Sequence, residues 1–137
     1  MKKTIIFTLT IIALSLITNA QISVVVGAGS SQTADESTAK NMFSMVKTSW
    51  ADGSKVVIAD QGNTQTGKDF YSGFMGTTTS KIRAKQAKAY LSGKSSKPIN
   101  CSTDEDVKKA VAGNPNAIGY IHSASVDETV KVLFKIK

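Results

Sequence analysis

The stretch Asn114-Pro115-Asn116-Ala117-Ile118-Gly119-Tyr120-Ile121 limits the fold of this 137-residue chain more than any other. A helical pattern stops just before it, at Gly113, and Pro115 cannot extend a helix. Ala117 to Ile121 then forms an apolar run of strand length, in which Gly119 leaves room for another part of the chain to approach closely. The preceding helix has its own signals. Ser102 or Thr103 can cap it, and Asp104, Glu105 and Asp106 fill the first turn, where the helix dipole favours acids. Val107, Ala110 and Val111 supply an inward face. A helix that turns directly into a buried strand needs further strands beside it.

The rest of the chain offers them. Ile22 to Val26 is a β-branched run closed by Gly27-Ala28-Gly29-Ser30-Ser31, which predicts a buried strand entering a loop. Thr33 with Glu36 makes a capping box, with Asp35 as the alternative cap. Ala39, Met42, Phe43 and Val46 recur at helical spacing and predict a helix with one inward face. Trp50-Ala51-Asp52-Gly53 is a turn, Val56 to Ala59 a second strand, and Asp69 to Phe74 the start of a short helix. Ser80 to Leu91 has a weaker helical pattern, with Ile82, Ala84, Ala87 and Leu91 as its apolar positions. Val130, Val132, Phe134 and Ile136 alternate in a last strand. Strands interleaved with helices predict one α/β domain with a small mixed sheet.

Residues 1–20 stand apart. Lys2 and Lys3 precede an apolar run from Ile5 to Ile17, and Thr18-Asn19-Ala20 places a small residue at a cut, so a signal peptide is expected, with a domain over residues 21–137. The run is too short and wrongly flanked for a membrane span. The net charge of +7 falls to +5 without the two lysines of that segment. A basic exported protein suits small anions, acidic glycans or lipid headgroups, and no nucleic-acid-binding signature is present. The single Cys101 cannot form a disulfide within the chain, and a buried inert thiol beside a helix start is expected.

Few residues suit catalysis. A nucleophile–base–acid set would depend on His122, the one histidine, which has no flanking motif and fits a strand end at the surface. Ligands for zinc or calcium are lacking, and no cofactor is expected. Gly27-Ala28-Gly29-Ser30-Ser31 lacks the third glycine of a dinucleotide fingerprint, because Gln32 stands there. That loop is either a mobile surface turn or an oxyanion cradle of N–H groups and hydroxyls. Gly62 to Phe70 similarly fits an ordinary helix cap, or an anion site built from Thr64, Thr66 and Lys68 at the positive end of a helix. Lys81, Arg83, Lys85, Lys88, Lys94 and Lys97 form a basic stretch, with Lys81, Lys85 and Lys88 on one helical face.

Taken in order, Met42-Phe43, Trp50-Ala51-Asp52-Gly53, Phe70-Tyr71, Ser92-Gly93-Lys94 and the Asn114–Ile121 stretch resemble the phosphate-type periplasmic substrate-binding proteins of ABC importers. The similarity is to their short, stand-alone relatives of one-lobe size, and it runs from Ile22 to Ile136. It implies a single three-layer-like lobe of the periplasmic-binding-protein fold, a non-catalytic protein in the periplasm or secreted, and phosphate or a similar oxyanion as ligand. It also implies importer membrane subunits as partners. In that family the anion is held by loops at strand ends, which implies Ser30, Ser31, Thr64, Gln65, Thr66 and Lys68 here. Two departures stand out. Thr64-Gln65-Thr66 replaces a Ser-Gly-Thr run, and Lys68 replaces a nearby arginine, giving a point charge for a bidentate fork. Loops leaving the same edge of an α/β sheet share one crevice, so Ser30, Ser31, Thr64 and Thr66 are expected to converge. One lobe leaves its anion hydrated unless a second copy or another protein supplies the facing wall. The alternative is an interaction module with no small ligand, using its basic face on an acidic partner.

Overall fold

The computed structural model describes residues 21–136, so the expected signal peptide lies outside the described residues. Five strands, β1 (Ile22–Gly27), β2 (Val57–Asp60), β3 (Ile99–Asn100), β4 (Ala117–His122) and β5 (Val130–Ile136), form one mixed sheet in the order β3-β2-β4-β1-β5. Strands β2, β3 and β4 run parallel, whereas β1 is antiparallel to both β4 and β5. Helices α1 (Glu36–Phe43), α2 (Gln65–Asp69) and α3 (Thr79–Leu91) cover one face, and α4 (Asp104–Gly113) covers the other. The architecture is therefore the expected α/β lobe, with three layers and a small mixed sheet.

Alternation along the strands divides the core in two. Val24, Val26, Ile58, Ile118 and Tyr120 pack towards Met42, Phe43, Phe70, Tyr71 and Ile82. Val25, Ala59, Ala117 and Ile121 pack towards Val107 and Val111 of α4. Gly119 shows why the second layer needs a residue without a side chain. A Cβ there would lie 2.5 Å from Val107 Cγ1 and 3.2 Å from the Ala59 carbonyl oxygen, so α4 could not reach the sheet.

After α2 the chain widens into one π-helical turn, Phe70–Phe74, which feeds the aromatic layer. The rings of Phe70 and Tyr120 stack with centroids 3.9 Å apart, and Phe43 meets Phe70 edge-on at 4.9 Å. Such pairs add about 0.5–1.5 kcal/mol beyond area burial.

Two expected helix caps form, Asp35 accepting from Thr38 N–H and Thr103 from Asp106 N–H, and α3 is capped by Thr78, which accepts from Lys81 N–H. Asp35, rather than the Thr33–Glu36 box, caps α1. Two apolar assignments are corrected. Val46 is 75% exposed, because α1 ends at Phe43 and Met45 takes a positive φ of 64°. On α3 the inward face is Ile82, Gln86 and Ala89, leaving Leu91 75% exposed and Ala84 exposed as well. A buried glutamine in the middle of that face hid its phase from the sequence pattern. The second helix starts earlier than expected, at Gln65.

The Trp50 turn anchors the junction between α1 and β2. Trp50 is buried and its indole N–H donates to the Asn116 carbonyl at 2.9 Å, with Gly53 at φ 86° closing the turn. Gln32 donates to Asp52 Oδ2 at 2.9 Å and reaches Ser54 Oγ and Asn116 Oδ1. This polar knot closes the sheet edge where β1 ends and β4 begins. At the opposite edge, Ile22 pairs with both His122 and Ile136, so the start of β1, the end of β4 and the end of β5 lie together.

Candidate functional site

The expected meeting of the two loops does not occur. Ser30 follows β1 and Thr66 follows β2, but β1 is antiparallel to β4 while β2 is parallel to it. Their C-terminal ends therefore face opposite edges of the sheet, and the shared-crevice rule holds only where strands run the same way. Ser30 is buried in the polar knot, where its hydroxyl donates to the Pro115 carbonyl at 2.7 Å and accepts from Gln32 N–H at 3.1 Å. Ser31 is exposed on that same loop. Ser30 and Ser31 thus lie at the far end of the sheet from Thr64, Gln65, Thr66 and Lys68.

The second loop has the richer polar environment. Gln61 accepts Thr64 N–H on its carbonyl at 2.9 Å, making a tight turn that leads into α2. Thr64 is the N-cap: its hydroxyl donates to Gln61 O at 2.7 Å and accepts from Gly67 N–H at 3.0 Å. That hydroxyl is occupied by the cap. Gly67 makes the turn this compact, since a Cβ on it would lie 2.2 Å from the Gln61 carbonyl oxygen. The first intrahelical bond runs from Lys68 N–H to Thr64 O, so the N–H groups of Gln65 and Thr66 precede the first helical donor and have no acceptor within the helix. The Gln65 side chain turns along the helix to Asp69 at 2.8 Å, and Lys68 is exposed in the same turn.

Thr66 is buried, and its hydroxyl lies 2.7 Å from His122 Nε2 at the end of β4. The imidazole sits in a wider network. Gln61 donates to the Tyr120 carbonyl at 2.8 Å and to Asp104 Oδ1 at 2.9 Å, while Asp104 Oδ2 accepts from the His122 backbone N–H and the Ser125 hydroxyl. Asp104 therefore reaches the backbone of His122 rather than its ring. Among the described residues, no third group makes a hydrogen bond to the His122 ring, as one would to orient a catalytic imidazole. What the edge provides is a set of donors around a helix start.

Beneath this edge lies Asp60, almost fully buried. Its Oδ1 accepts from the hydroxyls of Tyr71 and Tyr120, each at 2.7 Å, and its Oδ2 lies 3.9 Å from Arg83 Nε. Burial, then the nearby charge of Asp60, holds the Tyr71 hydroxyl well above the usual phenol range, so it stays a donor. Cys101, next to β3, fits its expected inert role: burial first, and then Asp106 and Asp60, push its thiol up to about 11.

Asp104, Gln61 and Asp60 were not site candidates from sequence, while His122 was considered only as a catalytic base and Arg83 only within the basic stretch. His122 is 56 residues from Thr66, and no local motif joins them. Asp104 was legible only as a first-turn acid.

No family model matches the chain, and no curated protein matches it in sequence. Solved structures do match in fold. An ABC-type phosphate transport receptor from Vibrio cholerae superposes with a TM-score of 0.62 at 17% identity, over 83% of this chain and 46% of the receptor. A Clostridium perfringens structure with bound phosphate, described as a phosphate ABC transporter substrate-binding protein, gives a TM-score of 0.60 at 19% identity, over 83% of this chain and 45% of that one. The chain thus has the fold of one lobe of the phosphate-type substrate-binding proteins. It spans less than half the length of these receptors.

Proposed function

We propose that this protein is exported and binds phosphate or a similar oxyanion without catalysis, at the edge where α2 begins beside His122. The observation that carries the proposal is the Thr66 hydroxyl 2.7 Å from His122 Nε2, beside the N–H groups of Gln65 and Thr66 at the helix start, in a fold shared with phosphate receptors. Helix starts favour anions, and Lys68 adds charge to the same turn. The membrane subunits of an ABC importer fit as partners, and a second copy of the chain could supply the missing wall.

A single wall leaves the anion in water, where each hydrogen bond contributes about 0.5–1.5 kcal/mol, so affinity should be about millimolar. Calorimetric titration of the purified protein with phosphate and sulfate tests this. Thr66→Ala should weaken phosphate binding about threefold to tenfold with little change in the denaturation midpoint. Undiminished binding by that variant would remove this edge as the site.

A second reading draws on α3, where Lys81, Lys85 and Lys88 are all exposed. An acidic partner captured through that face would be lost on reversing the three lysines to Glu and unaffected by Thr66→Ala.

Export rests on residues 1–20. Mass spectrometry of protein recovered from the native cell should find a chain beginning near Gln21. A cytoplasmic form that keeps Lys2 and Lys3 would contradict it.

A further inference from the structure

We propose that the cleft between α3 and β3 is a second binding site, separate from the α2 edge, for a small organic oxyanion: a carboxylate or phosphate monoester on a short apolar body. The cleft has a volume of about 190 Å³. Its lining includes Arg83, Gln86, Tyr90, Lys97, Pro98 and Asn100, which supply hydrogen-bond donors around an aromatic ring and a proline. No carboxylate lines it among the described residues.

The donors there are unspent. Gln86 is only 3% exposed, and its Nε2, which lies on the side of the Tyr71 hydroxyl, makes no hydrogen bond among the described residues. The terminal torsion of a glutamine is broad, so this amide can turn towards an occupant without changing its stem rotamer. Arg83 is half-exposed, and its one ionic neighbour among the described residues is Asp60 Oδ2, 3.9 Å from Nε. That contact positions the guanidinium and leaves its outer nitrogens for a ligand, where an arginine gives a bidentate fork. Lys97 holds its ammonium 6.0 Å from the centroid of Tyr90, on the same cleft. The side chains of Lys97 and Asn100 make no hydrogen bond among the described residues.

The size and lining decide the ligand class. A cavity of this volume could hold about six waters at liquid density, more than a bare inorganic anion needs. Two cationic groups at the rim favour an oxyanion, and the Tyr90 ring and Pro98 favour a carbon body over further water. Gly62 and Asp60 lie beside Arg83, since a Cβ on Gly62 would meet Asp60 Oδ2 at 3.1 Å and Arg83 Nε at 3.3 Å.

Phenyl phosphate, benzoate and inorganic phosphate are the probes, followed by nuclear magnetic resonance of the side-chain N–H groups of Arg83 and Gln86 in the purified protein. Phenyl phosphate or benzoate should shift both signals saturably, and whichever binds tighter names the headgroup. Lys97→Gln, at an exposed residue that the fold does not need, should weaken that binding about tenfold. Arg83→Lys, which keeps a cation beside Asp60, should weaken it similarly by losing the fork. Thr66→Ala should leave it unchanged, so loss of the α2 site and loss of this one are distinguishable. The proposal is overturned if neither organic anion moves the Gln86 and Arg83 signals, if Lys97→Gln binds as tightly as the parent, or if inorganic phosphate saturates the cleft equally well.

Discussion

Asp60→Ala should lower the free energy of unfolding by about 2–6 kcal/mol, because it strands two buried hydroxyls, each at a cost of about 1–3 kcal/mol. The Tyr71 and Tyr120 hydroxyls both end on Asp60 Oδ1, and neither ring has any exposure through which water could replace the carboxylate. Asp60→Asn keeps an acceptor oxygen and should cost clearly less. The mechanism has its own signature. In the Asp60→Ala background, changing both tyrosines to Phe removes the stranded groups and should recover part of the loss. Urea denaturation of the parent and the three variants measures it. Equal midpoints for the parent and Asp60→Ala would mean that the carboxylate holds nothing in place.

Ile118→Ala should cost about 2–5 kcal/mol, the range for large-to-small changes in a packed core. Ile118 is fully buried on β4, the central strand of five, and packs in the aromatic layer between β1 and β2. Neighbours held by ladder bonds on both sides cannot collapse into the space it leaves. An unchanged midpoint would place that strand outside the core.

The central strand was legible because its signals were local: a proline stop, an apolar run and a glycine at a point where α4 crosses closely. The same holds for the Trp50 turn and the Thr103 cap. The candidate edge was only half legible. The Thr64–Lys68 turn announces itself as a helix start, whereas His122 joins it through β4 and Asp104 through α4, contacts set by strand order. Strand direction was the specific gap. Ile22 to Gly27 looks alike whether it runs with β4 or against it, because a strand buried on both faces carries no mark of polarity. The antiparallel placement of β1 moved Ser30 and Ser31 to the knotted edge, and nothing in those residues could have shown it. On α3, Gln86 occupies an inward position that a polar residue seldom takes, so the true face went unread.

The pairing of Ile22 with both His122 and Ile136 has a practical result. The described chain enters and leaves at the same corner, and that corner carries the Thr66–His122 pair. A covering domain joined at either terminus would be tethered beside the proposed anion site, and a short linker would give it a high effective concentration there. Fusing a fluorophore or a facing lobe at Gln21 or Ile136 is therefore a direct way to place it over this edge, whereas the knot around Trp50 and Asn116, at the opposite end, lies beyond short reach.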